Sequence, residues 1–325
     1  MKKNLYTSPF IPAEWIAAHG LQPCRVIPDF QENEEECNPS QGICRHMWQS
    51  VQQVNRDTEA AGSIFTTICD QMRRAPECLD ASASSRSFLF HVPKTWQSSS
   101  SFEWYVAELR RLGSYLIQRG GIEPSADYLK NILQSYDKNR RILLSVRPYM
   151  PATAYAELLY RFYTTGIVDS PPIDRAYREF GIPLALIGGP LARINWSLIN
   201  EVETAGGTIV LDGTENGERT FPAPFDQARL SENPFLEMAH AYFDFIPDIF
   251  RRPNDGFFHW LHRALSARSI RGVILIRNVW CDLWHAEVQR IRESIREPLL
   301  DLDVDGGDAF ARNQTRIQAF LESLQ

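Results

Sequence analysis

Two distant stretches share one local pattern, and that pattern limits what the chain can fold into. Gly62-Ser-Ile-Phe-Thr-Thr-Ile-Cys69-Asp70 is an apolar run that stops at a cysteine, followed by an aspartate and helix formers. Arg271-Gly-Val-Ile-Leu-Ile-Arg-Asn-Val-Trp-Cys281-Asp282 repeats it, with a short turn before the Cys-Asp pair. A continuous apolar run that gives way to a helix suits a strand of a parallel sheet buried on both faces. The carboxyl ends of such strands face the ligand crevice. Cys69 and Cys281 are therefore expected at the mouth of a cleft.

A third cysteine, Cys44, precedes a segment in which Met47, Val51 and Val54 recur at helical spacing. A helix N-terminus lowers a thiol pKa and favours thiolate. Three cysteines beside element ends suggest one shared soft-metal site, because thiolates bind iron and zinc strongly. Read locally, each is equally a small buried hydrophobe.

The rest of the chain reads as helices and strands in alternation. Pro12 to Gly20 is a short helix, and Leu21 to Pro28 a strand that keeps Cys24 structural. Gln71 to Cys78 reads as one short helix, with Cys78 a spare ligand. Ser87 to Pro93 is a strand with His91 at its end. Phe102, Tyr105, Leu109, Leu112 and Leu116 mark a long helix, and Pro124 to Arg140 another. Prolines 148, 151, 171 and 172 bracket a helical stretch, Ala154 to Thr165. The domain change is placed here. It gives an N-terminal α/β domain, 1–150, carrying Cys44 and Cys69, and a C-terminal α/β domain, 151–325, carrying Cys281.

In the second half, Gly181 to Pro190, Asn195 to Ala205 and Thr208 to Gly213 form strand, helix, strand, the unit of a parallel sheet. A helix is expected from Glu237 as far as Pro247. Phe257 to Ala267 and Trp284 to Arg296 are further helices. Pro298 to Asp305 is the last strand, with Asp301, Asp303 and Asp305 on one face and Asp303 or Asp305 at the cleft edge. Asn313 to Glu322 closes the chain as a helix. The fold class expected is α/β, two domains with parallel sheets flanked by helices.

Several functions are disfavoured. A net charge of −6 without a dense basic block argues against nucleic-acid binding. No 18-residue apolar stretch could span a membrane. Neither G-x-G-x-x-G nor G-x-x-x-x-G-K-[ST] occurs, which disfavours a dinucleotide enzyme or a chain that hydrolyses ATP itself. His259 and His262 lie three apart without an H-E-x-x-H, and the aspartates lack calcium-loop spacing. Six cysteines in a chain of 325 residues with no apparent leader fit a reducing, cytoplasmic setting with free or metal-bound thiols.

The pattern resembles the iron–sulfur subunits of the 2-hydroxyacyl-CoA dehydratase and benzoyl-CoA reductase family over nearly the whole chain. Pro12-Ala-Glu14 with Ala17-Ala18-His19-Gly20-Leu21 looks like the family's opening. Cys44-Arg45, Thr67-Ile-Cys69-Asp70 and Trp280-Cys281-Asp282 look like its three cluster cysteines. Ile187-Gly188-Gly189-Pro190, Asn200-Glu201 to Gly207 and Val210-Leu-Asp212 fit its middle, and Thr315-Arg316 to Glu322 its end. The chain departs from the family in its short length and in carrying Cys37 and Cys78 near expected ligands.

That resemblance implies a 4Fe-4S cluster on Cys44, Cys69 and Cys281, held between the domains. It implies pairing with a homologous second subunit and a separate iron–sulfur ATPase activator. It further implies one-electron, ketyl-radical chemistry on an acyl-CoA thioester, either benzoyl-CoA-type ring reduction or 2-hydroxyacyl-CoA dehydration. Catalytic side chains are not specified. The alternatives are a double-cubane 8Fe-9S reductase of the same family, which needs six thiolates per assembly, and a non-catalytic electron-relay or scaffold subunit. A missing phosphate-binding loop is consistent with ATP being used on a separate protein.

Overall fold

The computed structural model describes residues 1–29, 43–168, 181–304 and 309–325. Among the described residues, two four-stranded sheets, both all parallel, carry the chain. The first contains β1 (Lys3–Tyr6), β2 (Gln22–Arg25), β3 (Gly62–Thr66) and β4 (Ser87–Phe90), in the order β2-β1-β3-β4. The second contains β5 (Ile182–Gly188), β6 (Gly207–Gly213), β7 (Gly272–Arg277) and β8 (Leu299–Asp303), in the order β6-β5-β7-β8. The two orders are the same. In each sheet the chain winds outward first to one side and then to the other, leaving a switch point between β1 and β3 and between β5 and β7. Ligands bind outside the carboxyl ends of strands at such points.

The apolar runs fall where both faces are covered. Every residue of β3 and of β7 is buried. The edge strands β2, β4 and β8 alternate instead, as half-covered strands do. On β8 the alternation puts Asp301 and Asp303 on one side, where both pair with Arg277 of β7 at 2.8 and 2.7 Å. Asp303 is thus taken up by an ion pair. Asp305 lies outside the described residues.

The helices are α1 (Ala13–Ala18), α2 (Arg45–Arg56), α3 (Asp70–Arg74), α4 (Ala81–Ser84), α5 (Ser99–Gln118), α6 (Ala126–Val146), α7 (Ala152–Thr165), α8 (Ser197–Thr204), α9 (Gln227–Glu232), α10 (Pro234–Phe243), α11 (Asp255–Ala267), α12 (Asp282–Ser294) and α13 (Ala309–Ser323). On one face of the first sheet α2, α3 and α4 pack around Met47, Val51 and Phe65. On its other face lie α1, α5 and α10. The second sheet is enclosed by α8 and α13 on one face and by α11 and α12 on the other. No helix among the described residues is long and apolar enough to cross a membrane.

Four details differ from the sequence reading. Lys3–Tyr6 is a central strand that the reading left unassigned; two of its four residues are polar, so it shows no apolar run. The helix expected as far as Pro247 ends at Phe243. Gln71 to Cys78 is broken: α3 stops at Arg74, and a 3-10 turn with Pro76 follows. The helix expected from Trp284 starts at Asp282, which makes Cys281 its N-cap.

The chain does not stay with one sheet after residue 150. Phe225, Leu230, Met238, Tyr242, Phe243 and Phe250 enter the same core as Phe10, Tyr105 and Leu133 of the first half. Tyr242 also donates to Glu14, which pairs with buried Arg140, so α1, α6 and α10 share one polar knot.

Candidate functional site

Each of the three expected cysteines is the N-cap of a helix: Cys44 of α2, Cys69 of α3 and Cys281 of α12. The local causes differ. After β3 the chain bends through residues 67–69 into α3, and Cys69, its own backbone extended, accepts the Met72 N–H on its sulfur at 3.3 Å. After β7 a turn is closed by the Cys281 N–H on the Asn278 carbonyl, and the Asn278 amide reaches the Pro190 carbonyl at the end of β5. The Cys44 N–H donates to the side chain of Gln71, which ties the start of α2 to α3.

All three cysteines line one cleft of about 130 Å³ at the carboxyl ends of β3 and β7. Its walls combine Ile68, Phe250 and Trp284 with His46, Glu215 and Asp248, and Lys94 lies at its rim. Cys24 and Cys78 do not line it; they pack beneath α2 in the core of the first sheet. Both, like the three in the cleft, are free of disulfides. Cys37 lies outside the described residues. His91 and His262 do not line the cleft, and His259 lines a separate cavity.

Electrostatically the cleft is a place of suppressed charge. Burial pushes the Cys69 thiol up to about 12, against the lowering effect of N–H groups directed at its sulfur. Burial likewise pushes Cys281 up to about 11. The helix N-terminus favours thiolate, but desolvation wins at both positions. Burial, then the nearby Arg25, pushes His46 down to about 3, so its ring is neutral, and among the described residues its buried Nδ1 has no hydrogen-bond partner. Burial raises Glu215 to about 7 even though Arg25 lies 3.3 Å away.

Sequence reasoning missed the residues behind these. Arg219 is fully buried and donates to the carbonyls of Gly188, Gly213 and Pro247 and to Asp248 at 2.7 Å. It fastens the ends of β5 and β6 to the loop that carries Asp248 and Phe250 into the cleft wall. Arg25, at the end of β2, crosses between the sheets to the carbonyl and carboxyl of Glu215. Neither arginine has a local signal, because every partner is distant in sequence or is a backbone carbonyl.

Among the described residues, no group of three His, Cys, Asp or Glu side chains is placed to hold a single metal ion. A single zinc ion draws its ligands to within about 2.3 Å of one point. A multi-iron cluster makes a different demand, since each cysteine binds a different iron. Cys44, Cys69 and Cys281, none of them in a disulfide, line the same cleft.

Over residues 9–324 the chain matches the family model described as 2-hydroxyglutaryl-CoA dehydratase, D-component. The chain belongs to that family. The D-component family links it to enzymes that act on CoA thioesters. No curated protein matches it. Among solved structures, the laminin-binding protein Lbp of Streptococcus pyogenes aligns over 100% of both chains at 10% identity with a TM-score of 0.23, which carries no argument about this chain.

Proposed function

We propose that this D-component family member is an iron–sulfur subunit of an enzyme that acts on an acyl-CoA thioester by one-electron chemistry, with Cys44, Cys69 and Cys281 as ligands of a four-iron cluster. The observation that carries the reading is that these three cysteines, and neither Cys24 nor Cys78, line one cleft at the two switch points. The division of the chain near residue 150 is part of the same reading, as are a homologous partner subunit and a separate ATP-driven activator.

Cys44, Cys69 and Cys281 would hold the cluster, which would supply low-potential one-electron chemistry in the cleft. The protein's own residues prepare the place. The Met72 N–H is directed at the Cys69 sulfur. Because Cys69 and Cys281 are neutral thiols when bare, loading must release their protons. Ile68, Phe250 and Trp284 present apolar surface that limits water, which a radical intermediate requires. Glu215, poised near neutrality, can hold or yield a proton inside the cleft.

Ring reduction and dehydration share the first electron step, and both remain within the proposal. A relay role is the second reading. It is favoured by size: about 130 Å³ is below the roughly 300–1,000 Å³ of small-molecule sites. A cluster leaves little room beside it for an acyl group, so a catalytic subunit would complete its acyl pocket with the partner.

Anaerobic purification with the native partners tests the assignment. About four iron and four sulfide per chain are expected, falling on serine replacement of Cys44, Cys69 or Cys281 but not of Cys24 or Cys78. About eight iron would favour the double cubane. Paramagnetic resonance with and without CoA esters then separates the roles. A spectrum unchanged by every ester, in a complex that still accepts electrons, would leave the relay.

A further inference from the structure

His46 is the second residue of α2, two places after Cys44, and it lines the same cleft as the three cysteines. It is 5% exposed, and its Nδ1 is buried with no hydrogen-bond partner among the described residues. A buried polar atom left unpaired is costly. One kept in a cleft wall points to a partner that the chain does not itself supply. An imidazole this deep is uncharged, and the uncharged ring is the form that binds metal.

The other polar side chains of the lining are taken up or turned to water. Glu215 pairs with Arg25 at 3.3 Å, and Asp248 with Arg219 at 2.7 Å. The Asn278 amide donates to the Pro190 carbonyl, and the Gln71 side-chain oxygen accepts the Cys44 N–H. Asp70 and Asp282 are exposed, and Lys94 is a cation at the rim. Among the described residues, the cleft is therefore left with three thiols and one imidazole to present to a metal.

We propose that His46 is the fourth protein ligand of the cluster, through its Nδ1, on the iron that three cysteines leave open. This rests on the cluster reading above. A four-iron cluster offers one ligand position on each iron, and histidine replaces cysteine on iron in other iron–sulfur centres. The same helix start that seats Cys44 in the cleft seats His46 there too. With all four irons held by the chain, none is left for a substrate oxygen, and the cluster can only pass electrons on. The size of the cleft, about 130 Å³, agrees, since it then has no acyl group to hold. His46 thereby favours the relay over the catalytic subunit.

Electron–nuclear double resonance tests this on the full chain, purified anaerobically from cells fed heavy-nitrogen histidine and then reduced. A strong nitrogen coupling that changes with the label is expected, and its complete loss in His46→Ala and in His46→Cys. Both variants should keep about four iron per chain. His46→Cys retains a metal-binding side chain at the position and carries the comparison where the alanine variant does not fold. Cyanide, which binds an open iron, should leave the spectrum of the unmodified chain unaltered and change that of His46→Ala. About four iron without a label-dependent coupling, or a coupling that persists in His46→Ala, overturns the ligand and leaves the cluster reading standing. A coupling through a proton alone makes His46 a hydrogen-bond donor to a sulfur and likewise overturns it, as does a cyanide response of the unmodified chain. No iron in the unmodified chain overturns the cluster reading, and this inference with it.

Discussion

At Cys69 and Cys281 two effects oppose each other, and their balance has a consequence for stability. Backbone N–H groups favour the thiolate, burial favours the thiol, and the values of about 12 and about 11 show that burial wins. An unfolded thiol loses its proton near 8.5. Between that pH and the folded values the native state binds more protons than the unfolded chain, so stability falls as pH rises; below about 8.5 the contribution is complete. Cluster-free protein should lose about 1.4 kcal/mol per buried thiol for each pH unit above that point. A urea midpoint that stays flat from pH 8 to pH 10, and is unaltered by Cys69→Ser, would contradict this. The cysteines were legible in the sequence because a rare residue stood at the end of an apolar run. Arg219, Arg25 and Glu215 were not, since their roles depend on buried contacts made only when β2, β6 and the loop before α11 come together.

At the scale of elements, the sheet pattern was readable wherever a strand was covered on both faces. β3, β5 and β7 announce themselves as apolar runs, whereas β1, central but only four residues long, does not. Helix ends were less legible, because an amphipathic period continues past the residue where packing stops, as it does beyond Phe243. The Gly188-Gly189-Pro190 turn is the element on which the cleft depends most. Gly188 has a φ of +140° and is paired directly with Ile276 of β7, and a Cβ there would run into the Ile276 carbonyl. Gly188→Ala should therefore cost about 3 kcal/mol or more, because the obstacle is backbone that cannot move without parting two central strands. Gly206 is the control. Its φ is +94°, but a Cβ would meet nothing within 4 Å, so Gly206→Ala should cost only about 1–2 kcal/mol of left-handed strain. Equal melting temperatures for the two variants would refute this ranking.

For the whole molecule, the repeat of one strand order in two sheets explains why two Cys-Asp pairs far apart in sequence reach one cleft: each follows the third strand of its sheet, beside the switch point. The sequence suggests two halves, but it does not reveal which sheet an amphipathic helix covers, since its apolar stripe looks the same on either. The segment from Phe225 to Phe250 shows the difference. It is flanked in sequence by β6 and β7 of the second sheet, yet its side chains fill the first core. Phe250 meets Phe10 edge-on at 4.9 Å, Phe243 lies 5.2 Å from Tyr105, and Tyr242 caps the buried Glu14–Arg140 pair. Residues 1–150 alone would expose that aromatic surface and leave Glu14 short of one hydrogen-bond donor. Removing several large core side chains at about 3–5 kcal/mol each exceeds the stability of an ordinary domain. A fragment of residues 1–150 should consequently not fold by itself, and the intact chain should unfold in one transition rather than two. Circular dichroism and limited proteolysis of the fragment, beside calorimetry of the full chain, decide the matter. A protease-resistant fragment with a cooperative melt would mean that the first sheet holds its core without the returning helix.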